Sequence, residues 1–480
     1  PPDPSALDAM HHWNHVAIDS SGLDHTPALE GDPRIFGEQL GPGRSSRAMA
    51  IVHIAMFDAV NAIAKRYRSY TGIPDAAPGA SMDAAIAQAA HDTLVAMYPS
   101  QKAHCDALLA EELAKIADGR GKIEGIRVGQ RAARAILTRR ENDGATQTDP
   151  RLGTEFITSD RPGKWRQDPI SQIPIALGAE WGKVKPFVVS DVTRFRVAAP
   201  PALTSRAYTD AFNEVKRLGG DGVTTATERT ADQTMAGIYW AYDGTPSLCA
   251  PPRLYNQMAL AIADQMGTDI VDLARLLALV NVAMSDAGVA SWESKYYYQY
   301  WRPVTGIREA DPGTGPSGRG DGNPLTIGDP TFSPLGAPAS NLNGPNFTPP
   351  FPAYPSGHAT FGAACFWMIV EQAGSTLTLF ADQVTNLTVG GGAFGVVPVN
   401  QPVASLEASA TGWDIPAAWM QSINPFFIII FAPIFAALWV KLGDRAPRTP
   451  VKFGIALIGV GISFAMLIIP MSHYLATGQQ

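Results

Sequence analysis

Cysteine is scarce in this 480-residue chain: Cys105, Cys249 and Cys365 are the only three, and they lie far apart. An odd, dispersed set supports neither a disulfide framework nor a clustered zinc site. A basic excess is also lacking. The formal net charge of −7 leaves no electrostatic footprint for nucleic acid. The opening Pro1-Pro2-Asp3-Pro4 has neither Met nor the apolar run of a signal region, and reads as processed or truncated at its start. No long alternation of polar and apolar residues argues for a sheet, so an all-α chain is expected.

Charge runs short in one region. Residues 366–480 hold nine Asp, Glu, Lys and Arg, against 72 in the first 365. A shift of that size marks a water-soluble body followed by lipid-facing helices. The expected division is therefore 1–365 and 366–480.

In the first part, residues 1–44 read as an irregular arm, rich in Pro and Gly. His11, His12 and His15 sit close together there; they are either a metal cluster or, the preferred reading, locally packed side chains. Helices are expected from Ser45, where Met49, Val52, Met56, Ala59, Val60 and Ile63 recur at three- and four-residue steps. His53 and Asp58 on this helix read as a structural polar pair. Ser81 is expected to cap the next helix, and further helices fit 101–118, 122–141, 205–218, 226–242 and 253–266. Residues 142–204, punctuated by Pro and Gly, read as a long excursion. A long helix is expected from Thr268 towards Trp292, with Leu273, Leu276, Leu277, Val280 and Met284 inward.

Two stretches carry chemistry. Pro355 fixes an extended entry, Ser356 is a good N-cap, and Ala359 onward reads as helix. The N–H groups around Gly357 and His358 then point outward from a first helical turn, a setting that favours an anion. Upstream, Lys295 and Arg302 are about two helical turns apart and are expected to share one face. An ammonium and a five-donor guanidinium together suit a tetrahedral oxyanion. Between them, Tyr296, Tyr297, Tyr298, Tyr300 and Trp301 form either a base-stacking platform or, preferred in the absence of basic surroundings, a pocket wall or core. Residues 304–353, with nine Gly and ten Pro, are a linker by composition or an ordered loop lining the site.

Lys295-x6-Arg302-Pro303 followed by Pro355-Ser356-Gly357-His358 resembles the first two signature motifs of vanadium-dependent haloperoxidases and type-2 phosphatidic acid phosphatases. The stretch Arg47-x5-His53-x4-Asp58-x2-Asn61 is similar to the N-terminal helix of bacterial haloperoxidase-like proteins. The resemblance implies a haloperoxidase-like helical bundle in which Lys295, Arg302, Ser356 and Gly357 hold vanadate or phosphate. His358 is implied as the acid–base residue, with hydrogen peroxide and halide as co-substrates in a peroxidase or a phosphate ester in a phosphatase. The family's third motif, Ser-Arg-x3-Gly-x-His-x3-Asp, has no match downstream. It carries the second arginine and the axial histidine, and His473 lacks its context, so turnover is expected to be lost.

Residues 361–381, 423–440 and 453–470 are long and apolar enough for about three membrane spans. The loop 441–452 carries Lys441, Arg445, Arg448 and Lys452 and is expected on the cytoplasmic side. Glu371-Gln372-Ala373-Gly374-Ser375-Thr376-Leu377, Trp419 to Pro425, Ala432-Pro433 and Lys441-Leu442-Gly443-x-Arg445 resemble part of a proton-dependent oligopeptide transporter. In that family the glutamate matching Glu371 takes part in proton coupling; here, without partner helices, it reads as inert. The chain thus resembles two incomplete proteins joined near residues 361–371. Membrane association through 366–480 is expected.

Overall fold

The computed structural model describes residues 4–241, 246–336 and 347–369, together with four two-residue strands further on. The chain divides into two compact units, Pro1–Ile369 and Val370–Gln480. In the second unit Thr385–Asn386 pairs antiparallel with Gly395–Val396, and Thr388–Val389 with Trp413–Asp414. Glu371 and the expected spans beyond residue 369 lie outside the described residues.

The first unit is a helical bundle. Its helices are α1 (Pro4–Asp24), α2 (Gly41–Ala64), α3 (Met82–Met97), α4 (Lys102–Ala114), α5 (Arg120–Arg140), α6 (Arg206–Leu218), α7 (Ala231–Trp240), α8 (Pro252–Gln265), α9 (Ile270–Tyr298), α10 (Pro303–Arg308) and α11 (357–369). At its centre α9 packs along α2. Both helices are long and apolar enough to cross a membrane, yet 89% of the α2 window and 72% of the α9 window are buried within the protein. An apolar surface that neighbouring helices cover in this way is a core. Leu273, Leu276, Leu277, Val280 and Met284 all face inward on α9.

Local chemistry sets the helix ends. The Ser81 hydroxyl accepts from the Ala84 N–H at the start of α3. Asp269 caps α9 by accepting from Val271 and Asp272, each at 3.0 Å. The α9 helix stops at Gln299, which adopts the left-handed conformation (φ 51°). Helices α3 and α5 cross closely because α5 has Gly125 and Gly129 on one face. A Cβ at Gly125 would lie 2.3 Å from the Ser81 carbonyl, and one at Gly129 would lie 2.6 Å from that of Ala85.

Four expectations are corrected. The arm read over 1–44 is mostly helix: α1 buries Met10, Trp13, Ala17 and Ile18 in the main core, an apolar stripe masked by the histidines between them. Helix α2 starts at Gly41 rather than Ser45, with Pro42 in its first turn, where proline needs no N–H partner. His53 and Asp58 are not a pair. His53 meets Met49 O and the Asn14 side chain, whereas Asp58 accepts from Tyr70 N, Thr71 N and Thr71 Oγ1. Lys295 and Arg302 share no helix face, because α9 ends between them and Arg302 stands at the N-terminal edge of α10.

Candidate functional site

The segment 347–356 approaches α9 and is held there by its carbonyls. Lys295, 1% exposed, gives its ammonium to Pro352 O at 3.1 Å, Ala353 O at 3.2 Å and Pro355 O. Arg302 Nε donates to Phe351 O at 2.8 Å. The Phe351 ring lies between the two cations, 5.1 Å from Lys295 Nζ and 4.7 Å from Arg302 Cζ, and it also packs on Trp292 at 4.9 Å. A cation over an aromatic face is attracted by the ring quadrupole, so one ring orients both. The Ala353 N–H returns to Tyr300 O, closing the segment onto the residues that follow α9.

That segment feeds α11. Ser356 Oγ accepts from the Ala359 N–H at 3.3 Å, and Ser356 O accepts from the Thr360 N–H. The first turn of α11 is further fixed from α8, where the Tyr255 hydroxyl donates to His358 O at 2.9 Å. Gly362 permits this approach: a Cβ there would stand 2.9 Å from the Tyr255 hydroxyl. At Gly357 a Cβ would lie 3.4 Å from the Trp292 ring, an ordinary contact, so space alone does not demand glycine at that position.

Lys295, Arg302, Ser356, Gly357 and His358 line one cavity of about 360 Å³. Its wall has no Asp or Glu among the described residues, and Trp292, Phe351, Phe332 and Phe361 make much of its apolar surface. Two cations, a hydroxyl, a helix start and an imidazole in a carboxylate-free space suit an anion with several oxygens. The fit is electrostatic first. The Lys295 donors are already engaged by carbonyls, so in this arrangement it supplies charge rather than a direct hydrogen bond.

Sequence reasoning missed Phe351, Trp292 and Tyr255. Phe351 is in the aperiodic Pro349-Pro350-Phe351-Pro352, and Tyr255 reaches the site only through the α8–α11 packing. The tyrosine cluster was read partly amiss. Tyr296 packs on Trp165 and Phe156, Tyr298 donates to Val197 O, and Trp301 enters a second small core with Tyr208 and Phe212. Tyr297 is largely exposed under Arg196. None of these rings lines the cavity. The three early histidines diverge: His11 meets Asp264, His12 faces Glu112 at 3.8 Å, and His15 is exposed.

The fold and the sequence agree with one set of known proteins. Residues 275–413 match the family described as the VCPO second helical-bundle domain. Vanadium chloroperoxidase of Curvularia inaequalis is 32% identical over 411 residues, 74% of this chain and 64% of that protein. The chain carries a vanadium haloperoxidase domain. It spans about 64% of the length of that curated relative. The crystal structure of a bacterial vanadium-dependent iodoperoxidase shares the fold, with TM-score 0.57 and 19% identity, over 77% of this chain and 82% of that one. Residues 359–480 match the POT family, overlapping the haloperoxidase match. The transporter YclF of Bacillus subtilis is 40% identical over 109 residues, 23% of this chain and 18% of that protein. A di-/tripeptide transporter of Lactococcus lactis is 34% identical over 108 residues, 22% of this chain and 18% of that protein. A POT-family segment therefore follows the haloperoxidase domain.

Proposed function

We propose that the haloperoxidase domain binds a tetrahedral oxyanion, vanadate or phosphate, at the start of α11. The observation that carries this reading is the convergence of Lys295, Arg302, Ser356, Gly357 and His358 on a cavity with no carboxylate among its described lining residues. Arg302 and the buried Lys295 charge would neutralise the anion, and the Ser356 hydroxyl and the Gly357 and His358 N–H groups would orient it. The His358 ring would hold or release a proton beside it. Bound vanadate would supply a centre for peroxide-dependent halide oxidation, and a phosphate ester would instead be a substrate.

Binding is expected to be weak and turnover very low, because these 480 residues contain no third motif. Groups that act as one catalytic unit typically cost several orders of magnitude in rate when one is removed. Vanadium-51 resonance of the full chain should show bound vanadate that phosphate displaces, with binding lost in Arg302→Ala. Bromide oxidation with vanadate and peroxide at rates typical of haloperoxidases would contradict the low-turnover reading. Hydrolysis of a phosphate ester, with no halide oxidation, would favour the phosphatase alternative.

The POT match at 359–480 supports membrane association of that part, with Glu371 an inert remnant there. Recovery of the full chain from water, monodisperse and without detergent, would argue against it. Peptide transport by this segment alone is not expected, since it matches 18% of its transporter relatives.

A further inference from the structure

Along α9 two concavities run together, and the apolar one reaches Pro355 and Thr360 beside the start of α11. One, about 530 Å³, is almost wholly apolar and lies between the Val189–Val197 segment and α9 residues Val282, Ala287 and Ala290. The other, about 800 Å³, is lined by Arg68, Arg139 and Arg275, with no Asp or Glu in its wall among the described residues. They share Val188, Leu279 and Val282, so a molecule can lie in both. We propose that this continuous groove binds a long-chain carboxylate, its head group at Arg68 and Arg139 and its acyl chain along α9.

The charge pattern selects the head group. Arg68 and Arg139 are exposed at the cationic end, and Arg139 stacks on Tyr70 at 5.0 Å, which orients its guanidinium. The nearby carboxylates are committed elsewhere. Asp58 accepts from Tyr70 and Thr71, and Asp272 accepts from Arg66 and Tyr67. Asp286, in the apolar part, accepts from the N–H groups of Phe187, Val188 and Val189. It therefore holds the wall rather than repelling a ligand.

The apolar end selects the tail. Val188 is 71% exposed and Phe195 61%, apolar side chains at the lip of a groove that a chain would cover. Ser291 and Ser294 line the far end with buried hydroxyls that have no hydrogen-bond partner among the described residues. Such hydroxyls suit ordered water beyond the methyl end of the chain rather than contact with the chain itself. From Arg275 to Ala290 the α9 axis rises about 22 Å, the reach of an extended acyl chain of about sixteen to eighteen carbons.

This inference is independent of oxyanion binding and needs no turnover. The test is photo-crosslinking of the full chain with a diazirine-bearing octadecanoic acid, followed by peptide mapping, with the matching alcohol as the neutral probe. The acid should label the 188–197 and 279–290 peptides and saturate below its micellar concentration. The double variant Arg68→Ala/Arg139→Ala should lower acid labelling at least about fivefold, the scale of losing two partly exposed charge contacts. Alcohol labelling should hold, and Arg68→Lys/Arg139→Lys should restore most of the acid signal. Labels mapping only outside the groove would overturn the proposal. Acid labelling that survives the double variant, falls equally with the alcohol, or occurs only above the micellar concentration would do so as well.

Discussion

The Tyr255 hydroxyl on α8 donates to the backbone carbonyl of His358, at 2.9 Å, in the first turn of α11. This bond ties the candidate acid–base residue to the bundle through its backbone. Tyr255→Phe should lower stability by about 1 kcal/mol, the usual net worth of one hydrogen bond, as read by urea unfolding. Gly362→Ala should cost more, because the added methyl displaces the whole Tyr255 ring. Equal costs for the two variants would contradict this packing.

Lys295 is expected to matter for folding as well as for charge. Lys295→Met keeps the length of the side chain but leaves the Pro352, Ala353 and Pro355 carbonyls without their shared donor. A loss of about 1–3 kcal/mol is expected, with faster proteolysis between residues 347 and 356. If that segment keeps its protease resistance in the variant, the ammonium is not what holds it.

A buried network joins α2 to α5. Asp143 Oδ2 accepts from Arg47 Nε at 2.7 Å and from Arg140 Nε at 2.8 Å, and Arg140 also lies over the Phe187 ring. Burial pulls the Arg140 pKa down, opposed by the neighbouring Asp143 carboxylate. Asp143→Asn strands two guanidiniums and should cost about 3 kcal/mol or more. The exposed Asp118, paired with Lys122, provides the contrast. Asp118→Asn should shift the melting temperature negligibly, and a shift as large as that of Asp143→Asn would refute the role of burial.

His53 gives the fold a pH dependence. Its ring is buried, Nδ1 donates to Met49 O at 2.7 Å, and Nε2 faces the Asn14 amide. Burial pushes its pKa down to about 4 from an ordinary 6.5, so the ring stays neutral in the folded protein. The unfolded chain takes up the proton first. The contribution of His53 is therefore complete above about pH 6.5 and is lost as pH falls towards 4, at up to about 1.4 kcal/mol per pH unit. His53→Gln should flatten the dependence of urea stability between pH 4.5 and 7. An unchanged slope in that variant would place the effect on other groups.

The helices of the bundle were legible because burial leaves a repeating signature. The three- and four-residue steps of α2 and α9 follow from one face packing against neighbours, and Ser81 carries its capping function in its own side chain. The same logic failed for α1, where histidines occupy the positions between Met10, Trp13 and Ala17 and hide the stripe. It failed again after Tyr298, since a left-handed Gln299 is invisible to periodicity. That residue turns the chain so that Lys295 and Arg302 meet through Phe351 rather than along one helix.

The sequence by itself determined the helical class of the first unit, its change of character near residue 366, and which five side chains suit an oxyanion. Those depend on residue chemistry and on spacings within a few turns. Only the tertiary structure decided that the five share one cavity, that Lys295 is engaged by the carbonyls of a proline-rich segment, and that Phe351 and Tyr255 fix the arrangement. Those contacts join residues roughly fifty to one hundred positions apart, and no local pattern records a partner that folding alone brings near.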